Sequence, residues 1–269
     1  MSPALVTQGA LVVVTGASRG IGESIARRFG AGGARVVLVA RTGEALERLA
    51  TELNGIAVVA DLGDPAQVEG LIARIEREAN APVDILVNNA GVDDVGLLTN
   101  KQAADVRHIH QVNLIAPIEL CRQVLPGMLE RGRGHIVNVS STAACGAFSG
   151  LTLYGSTKAG LTNFTAILRV ELKGTPIRTT VVSLGPVPSD MLNTINDFEP
   201  ARRAFTRFRR LQLMPNVDRD AVAIAVVDAV RAGRRHVRLP KRAAIYSMLH
   251  EVPRRLVEWT LVGIPSRPR

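Results

Sequence analysis

The chain has 269 residues, of which 46% are hydrophobic, so it is long and apolar enough for one α/β domain with a sizeable core. It has only two cysteines and no apolar run of about 18 residues, which argues against a disulfide-rich secreted protein and against a membrane span. The net charge of +9 arises beyond residue 200, where 16 Lys and Arg face 5 Asp and Glu, but aromatic residues make up only 3% of the chain, which argues against nucleic-acid binding by base stacking.

The first pattern along the chain is a strand followed by a glycine-rich turn. The apolar residues 11–14 predict a buried strand, and helix-forming residues 23–29 follow. Gly16, Gly20 and Gly22 give the turn the spacing G-x-x-x-G-x-G. Strand, glycine turn and helix form the context of a dinucleotide site, in which the helix N-terminus receives a pyrophosphate. The alternative is a turn with a purely structural role.

The second predicted strand, residues 35–40, ends without an acidic residue. Ala40 occupies the place where an acid would bind the ribose of NAD, and Arg41 follows it. Arg19 in the glycine turn and Arg41 could together hold a 2′-phosphate by charge and forked hydrogen bonds. The sequence therefore favours NADP(H) over NAD(H). The alternative is that Arg19 lies on the surface and Arg41 only precedes a helix.

Strand-like and helix-like patterns alternate along the whole chain, without a repeat or a linker that would divide it. This alternation predicts one α/β domain over residues 1–269, with a Rossmann-type, doubly wound, seven-stranded parallel sheet and helices on both faces. The predicted strands cover residues 11–14, 35–40, 56–59, 85–88, 135–140, 179–184 and 236–239.

Tyr154 and Lys158 stand four residues apart, so on a helix they share a face. The positive charge of Lys158 would favour the phenolate, so we expect the pKa of Tyr154 to lie below its free value of about 10. Such a tyrosine would suit a general acid that gives a proton to a carbonyl oxygen. This spacing alone is common by chance.

Asn113 precedes Pro117 by four residues. Proline has no N–H, so the helical hydrogen bond to the carbonyl of Asn113 cannot form, and that carbonyl is free to hold a water. The sequence predicts a kinked helix at this point. In the alternative interpretation, Asn113 is incidental to an ordinary proline kink.

Residues 188–215 are predicted to form a substrate loop in which apolar residues alternate with arginines. The apolar residues suit a hydrophobic substrate, and the arginines could meet an acidic group such as a coenzyme A phosphate or an acidic carrier protein. The alternative is a pair of helices with an apolar core face and solvated arginines. The residues concerned are Met191, Leu192, Ile195, Phe198, Phe205, Phe208, Leu211, Leu213 and Met214, with Arg202, Arg203, Arg207, Arg209 and Arg210.

The basic tail, residues 241–269, has an apolar stripe that predicts an amphipathic helix interrupted at Pro253. We expect it to dock on the substrate loop or a partner subunit; peripheral contact of a cytoplasmic protein with a membrane is the alternative. The stripe consists of Ile245, Leu249, Val252, Leu256 and Trp259.

Five motifs together, in order and spacing, resemble the short-chain dehydrogenase/reductase family from about residue 9 to about residue 240. They are the glycine turn beginning at Thr15, Asn88-Asn89-Ala90-Gly91, Asn113, Ser141, and Tyr154-x-x-x-Lys158. The resemblance implies a Rossmann-type fold, a nicotinamide cofactor, and oxidoreduction of an alcohol/carbonyl pair by hydride transfer.

The resemblance also implies the catalytic roles. Tyr154 would exchange the proton with the substrate oxygen, and Ser141, rather than Ser140, would hydrogen-bond the same oxygen. Lys158 would additionally hold the nicotinamide ribose, and the carbonyl of Asn113 would anchor a water chain to that lysine. A nicotinamide-binding regulator without turnover is the alternative from another class, and the complete set of four residues argues against it.

The family pattern implies that Asp61 accepts a hydrogen bond from the adenine amino group and that Asn89, Ala90 and Gly91 line the adenosine ribose, while Asn88 ties neighbouring strands together. Leu184 departs from the family, which usually has proline there. The residues expected to bind the cofactor are Gly16, Ser18, Arg19, Gly20, Ile21, Gly22, Arg41, Asp61, Leu62, Asn89, Ala90, Gly91, Tyr154, Lys158, Gly185, Val187 and Ser189; no metal ligands are expected.

The expected substrate is a hydrophobic molecule or an acyl group: 3-oxoacyl thioesters, sterols and long-chain aldehydes all fit. The resemblance further implies a homo-oligomer, a dimer or tetramer, through the helices that contain Asn113 and Tyr154. An apolar stripe supports this interface unless the protein's own sheet covers it. The stripe consists of Ala116, Leu120, Val124 and Met128.

Overall fold

The computed structural model describes residues 7–243 and 248–249, and they form a seven-stranded sheet in which all neighbouring strands are parallel. The strand order is β3-β2-β1-β4-β5-β6-β7, so the direction of winding reverses between β1 and β4. The prediction of a doubly wound parallel sheet is confirmed. The strands are β1 (Leu11–Thr15), β2 (Arg35–Ala40), β3 (Ile56–Val59), β4 (Ile85–Asn88), β5 (His135–Ser141), β6 (Arg178–Leu184) and β7 (His236–Leu239).

Helices cover both faces of the sheet. Residues of α1, α2 and α10 pack on one face, and residues of α4, α6 and α7 pack on the other. The helices are α1 (Gly20–Ala31), α2 (Gly43–Leu53), α3 (Pro65–Val68), α4 (Leu71–Ala79), α5 (Ala103–His110), α6 (Ala116–Glu130), α7 (Thr152–Glu171), α8 (Asp190–Asp197), α9 (Glu199–Arg210) and α10 (Arg219–Ala232).

Strand β1 shows why the apolar runs form the centre of this sheet. Val12 and Val14 contribute to the core on one face, whereas Leu11 and Val13 contribute to the core on the other. A strand with both faces buried needs apolar residues at every position, and β-branched side chains suit the pleated surface. The uninterrupted run that predicted a strand is therefore a direct consequence of burial on both sides.

The apolar stripe on α6 packs against the protein's own sheet. Ala116, Leu120, Val124 and Met128 are each at most 2% exposed and belong to the same core cluster as Leu86 of β4. The protein's own sheet covers this stripe, which was the alternative to a partner subunit, so the stripe gives no support to an oligomer. The predicted oligomer therefore needs other support.

Buried amides connect the central strands. The Asn88 side-chain amide of β4 donates a hydrogen bond of 2.8 Å to Asn138 Oδ1 of β5. Asn138 in turn donates to Thr165 Oγ1 of α7 at 2.8 Å. The structural role expected for Asn88 is thus confirmed.

No helix within the described ranges is long and apolar enough to cross a membrane. The amphipathic tail predicted from Ile245 to Trp259 lies outside the described residues, apart from Met248 and Leu249, which are helical and exposed.

Candidate active site

The predicted site residues gather at the carboxyl ends of the central strands, where the sheet reverses its winding direction. The glycine turn follows β1, Asn89 follows β4 and Ser141 ends β5. In open parallel sheets, ligands bind in the crevice at such a point. A cleft with about 800 Å³ of open space lies beside these strand ends, and the structure brings Ile21, Asn89, Gly91, Ser141, Tyr154, Lys158, Gly185, Val187 and Ser189 to its wall.

The glycine turn is packed tightly against the end of β4. A Cβ on Gly16, which has a positive φ of 66°, would lie 2.8 Å from Ala90 Cα, and one on Gly22 would lie 2.2 Å from the Gly16 carbonyl oxygen. The Asn89 amide donates to the Thr15 carbonyl at 3.0 Å. Glycine is required here because the backbone of α1 approaches the turn too closely for any side chain.

The N-terminus of α1 offers unpaired backbone donors. Arg19 occupies the N-cap position and its side chain makes no capping hydrogen bond. The first N–H groups of a helix lack intrahelical partners and carry the positive end of the helix dipole. A pyrophosphate fits this arrangement, so Gly20, Ile21 and Gly22 are suitable cofactor ligands through their backbones.

Two arginines lie near the expected position of the adenosine ribose. Gly16 N donates to the carbonyl of Val39 at 2.7 Å, which brings the turn containing Ser18 and Arg19 alongside the end of β2, just before Arg41. Arg19 and Arg41 are both exposed. Their placement fits the hypothesis of a 2′-phosphate clamp.

Asp61 and Leu62 lie at the end of β3, and part of their polar capacity is already used. Asp61 Oδ1 accepts a hydrogen bond of 2.8 Å from Gly63 N, and the Leu62 carbonyl accepts one of 3.3 Å from Gln111. Asp64, not Asp61, caps α3. Asp61 retains a second carboxylate oxygen that could accept from an adenine amino group.

Ser141 and Tyr154 form a hydrogen-bonded pair on the cleft wall. Ser141 Oγ also accepts from Ala143 N at 3.1 Å, which fixes the serine at the start of a 3₁₀ turn. The neighbouring Ser140 hydroxyl instead donates to the Lys158 carbonyl at 3.0 Å. Its hydroxyl is occupied by helix α7, so the geometry fits the choice of Ser141.

The pKa of Tyr154 differs from the sequence expectation. Burial raises it above its usual value, the hydrogen bond with Ser141 opposes this rise, and the charge of Asp93 adds to it. Lys158 Nζ lies 5.8 Å from the centre of the tyrosine ring. The expectation of a lowered pKa was wrong because loss of solvation, which depends on the packing around the ring, exceeds the effect of the lysine.

Lys158 is itself shifted by burial, which lowers the pKa of its ammonium to about 8. The residue is only 4% exposed. At neutral pH the ammonium still keeps its proton, so it can stabilise negative charge on the neighbouring phenol and hold a ribose hydroxyl.

Asn113 acts through its side chain on the loop after β4. Its Oδ1 accepts from Val92 N at 2.8 Å, and its Nδ2 donates to the Val92 carbonyl at 2.8 Å. The backbone around it, residues Gln111–Ile115, is a π-helix, which is the form taken by the irregularity expected before Pro117. The carbonyl of Asn113 is therefore released from regular α-helical pairing, as the proline required.

The predicted substrate loop is a pair of helices, α8 and α9, whose apolar side is a wall of the cleft. Leu192, Ile195 and Phe205 line the cleft and form a small cluster with Leu151. Phe148 packs on Phe205 with ring centres 5.3 Å apart. The lid, residues 190–210, thus has its own apolar core, separate from the two cores of the sheet.

The strand-end segment after β6 has little freedom. Gly185 N donates to the Leu239 carbonyl at 2.7 Å, and a Cβ on Gly185 would lie 2.7 Å from Pro240 Cδ. Ser189 caps α8, where its Oγ accepts from Leu192 N at 3.4 Å. Gly185 and Val187 lie on the cleft wall.

Sequence reasoning missed Asp93. The side chain of this half-buried residue hydrogen-bonds Thr194 of α8, and its Oδ2 is buried with no partner among the described residues. Burial raises the pKa of Asp93, and its charge acts on Tyr154. The only signal in the sequence was an acid just beyond Asn88-Asn89-Ala90-Gly91, at the end of a central strand.

A family model described as short chain dehydrogenase matches residues 10–200. The chain belongs to the short-chain dehydrogenase family. Ketoacyl reductase HetN of Nostoc sp. strain PCC 7120 is 36% identical over 184 residues, and the match covers 66% of this chain and 64% of that protein. The chain therefore spans less than two thirds of the length of that relative.

Two further relatives support the assignment. NADP-dependent 3-hydroxy acid dehydrogenase YdfG of Escherichia coli strain K12 is 38% identical over 181 residues, covering 66% of this chain and 72% of that protein. A short-chain dehydrogenase from Sphingobium yanoikuyae in complex with NADPH has a TM-score of 0.79 and 25% identity, covering 97% of this chain and 99% of that one. The chain has the fold of this family, and that fold is suited to a nicotinamide cofactor.

Proposed function

We propose that the protein is an NADP(H)-dependent oxidoreductase that interconverts a 3-oxoacyl thioester and the corresponding 3-hydroxyacyl thioester. The observation that carries the proposal is the hydrogen-bonded pair of Ser141 and Tyr154 beside Lys158, on the wall of a largely apolar cleft. A bound nicotinamide would supply or accept the hydride at this place.

The chain's own residues would manage the proton. Tyr154 donates its hydroxyl proton to the carbonyl oxygen during reduction, and Ser141 donates a hydrogen bond to the same oxygen as negative charge develops there. Lys158 stabilises the phenolate that remains. Because burial raises the pKa of Tyr154, the phenol keeps its proton at neutral pH, which is the form that protonates the carbonyl oxygen during reduction.

The lining of the cleft supports an ester over a free acid. A free 3-hydroxy acid would bring a carboxylate close to the reacting carbon, where it needs a cation. Within the described part of the chain, Lys158 is the only charged residue on the cleft wall, and its ammonium already donates to the Val139 carbonyl at 3.1 Å. A neutral thioester avoids an unpaired buried charge.

Preference for NADP(H) has two supports. Arg19 and Arg41 are exposed beside the end of β2, and no acid stands at Ala40. One relative is named as NADP-dependent, and one similar structure contains NADPH.

The test is NADPH oxidation with the N-acetylcysteamine thioester of a 3-oxoacyl chain, compared with a steroid ketone and a long-chain aldehyde. The proposal requires the highest kcat/KM for the thioester and loss of that activity in Tyr154→Phe. A higher kcat/KM for the steroid or the aldehyde would show that the thioester is not the preferred substrate. If no substrate supported NADPH oxidation, the result would favour a non-catalytic NADP-binding regulator.

A further inference from the structure

The arginines of lid helix α9 lie on two different sides of that helix. Phe205 lines the cleft, and residues three or four positions away share its side of the helix. Arg202 and Arg209 are those residues; Arg202 is exposed and Arg209 is half-buried. Arg207 and Arg210 project from the opposite side, where both are exposed.

The two sides also differ in ion pairing. On the outer side, Arg203 forms a salt bridge of 2.6 Å with Glu199. Within the described ranges, no acidic side chain pairs with the guanidinium group of Arg202 or Arg209. Arg202 and Arg209 stand seven positions apart in the helix, which places them about 10 Å apart along its axis. Together they form a positive rim beside an apolar cleft.

We propose that Arg202 and Arg209 bind the phosphate groups of a coenzyme A thioester while its acyl chain lies in the cleft against Phe205. The inference rests on the proposed function, since it assigns a site to the coenzyme A end of the same thioester. Guanidinium groups present forked donors that match phosphate oxygens, and phosphates cannot enter a cleft without a free cation.

The size of the rim favours coenzyme A over a carrier protein as the source of phosphate. Two arginines on one helix, about 10 Å apart, offer two cations to a single small ligand that carries several phosphates. A folded partner of stable affinity would need roughly 800 Å² of surface on each side. The rim consists of two arginines on one short helix, α9, which is a much smaller surface.

The experiment compares two thioesters with the same 3-oxooctanoyl group, one of coenzyme A and one of N-acetylcysteamine, which has no phosphate. With NADPH in the full-length protein, the double variant Arg202→Ala/Arg209→Ala should raise KM for the coenzyme A thioester about tenfold, because charge-assisted bonds are lost at a partly exposed site. Its KM for the N-acetylcysteamine thioester should stay unchanged.

The control is Arg207→Ala/Arg210→Ala, which removes the same charge from the opposite side of α9 and should leave both KM values unchanged. An equal rise in KM in the two double variants would overturn the inference. It would also be overturned if Arg202→Ala/Arg209→Ala raised KM equally for both thioesters. A rise seen only with the acyl group on a phosphopantetheinyl carrier protein would overturn the coenzyme A assignment.

A second measurement does not depend on turnover. Coenzyme A itself should bind the NADP⁺-loaded protein by titration calorimetry, with affinity weakened about tenfold by Arg202→Ala/Arg209→Ala and not by the control. If the protein reduces the N-acetylcysteamine thioester but coenzyme A binding is the same in all variants, the proposed function stands and the phosphate site is refuted. If it reduces neither thioester, the proposed function fails, and calorimetry alone decides on the site.

Discussion

The ammonium group of Lys158 donates a hydrogen bond of 3.1 Å to the carbonyl oxygen of Val139, which links helix α7 to strand β5. This bond holds the lysine beside Tyr154, in surroundings that lower the pKa of the ammonium to about 8. The same burial that positions the charge therefore also weakens its hold on the proton.

A first prediction concerns pH. Burial disfavours the charged ammonium, so Lys158 loses its proton as pH rises through about 8, and the positive charge needed at the site disappears. The kcat/KM for NADPH, which reports ionisations of the free protein, should fall above that pH. In Lys158→Arg the falling limb should move to higher pH, since guanidinium stays charged. A profile that is flat to pH 10 in the unmodified protein would contradict this.

A second prediction separates the two neighbouring serines. Ser141→Ala removes the hydrogen-bond donor to the substrate oxygen and should reduce kcat on the order of a hundredfold. Ser140→Ala removes a bond to the Lys158 carbonyl and should leave most of the rate, because its hydroxyl is already engaged by helix α7 and is not the donor to the substrate oxygen. Tyr154→Phe should abolish turnover while NADPH binding, measured by fluorescence, is retained. Equal loss of rate in both serine variants would refute the assignment.

A third prediction tests the phosphate clamp. Arg41→Asp should lower the ratio of kcat/KM for NADPH to that for NADH by tenfold or more, on the order expected for a lost guanidinium–phosphate pair. Arg48→Asp is the matched control, because Arg48 is also exposed but lies within α2. The clamp hypothesis would fail if the unmodified protein used both cofactors equally.

A fourth prediction concerns Asp93, which contacts the lid through Thr194 and raises the pKa of Tyr154 by its charge. Alcohol oxidation requires a deprotonated Tyr154, so its rate should rise with pH. Asp93→Asn removes the charge but keeps a hydrogen-bond acceptor, and it should move this rise to lower pH. Thr194→Val keeps the charge and should change KM for long substrates without moving the rise.

Two other charged groups bear on that test. Asp94 raises the pKa of Asp93 and Lys101 lowers it, and Lys101 and Asp94 form an ion pair with each other. Both remain in place in the two variants, so the comparison isolates Asp93. An unchanged pH profile in Asp93→Asn would show that its charge does not reach the tyrosine.

A fifth prediction is that the protein forms a homo-oligomer. Ile115 and Ile167 expose about half of their surface on the helices that carry Asn113 and Tyr154, namely 51% and 52%. The family resemblance implies an interface through these two helices, so we propose that a second copy covers the two isoleucines. Ile115→Asp/Ile167→Asp should reduce the mass measured by light scattering at micromolar concentration, whereas Val59→Asp, at an exposed position of β3, should not. A monomeric mass for the unmodified protein would contradict the proposal.

The sheet was predictable because its central strands are buried on both faces and therefore appear as apolar runs rich in β-branched residues. The π-helical segment at Asn113 was partly predictable, since the missing N–H of Pro117 is a covalent fact that no folding context changes. Positions where one residue type has a single structural solution are thus accessible from sequence.

What the sequence could not provide depends on packing between distant segments. The raised pKa of Tyr154 results from burial, and the contact between Asp93 and Thr194 joins residues about a hundred positions apart. For the same reason, the sequence could not decide which surface covers the apolar stripe of α6. Amphipathicity shows that a helix face is buried but not what buries it.

The paired amides of Asn88 and Asn138 have a consequence for folding. They face each other across β4 and β5 at matched positions, and Asn138 continues to Thr165 of the helix above. Sliding β5 by one residue would point the Asn138 amide to the other side of the sheet and break its hydrogen bonds with both Asn88 and Thr165, at a cost of several kcal/mol, about 1–3 for each polar group left unpaired. Apolar strands alone tolerate misalignment, so these two side chains select the single register in which Ser141 reaches Tyr154.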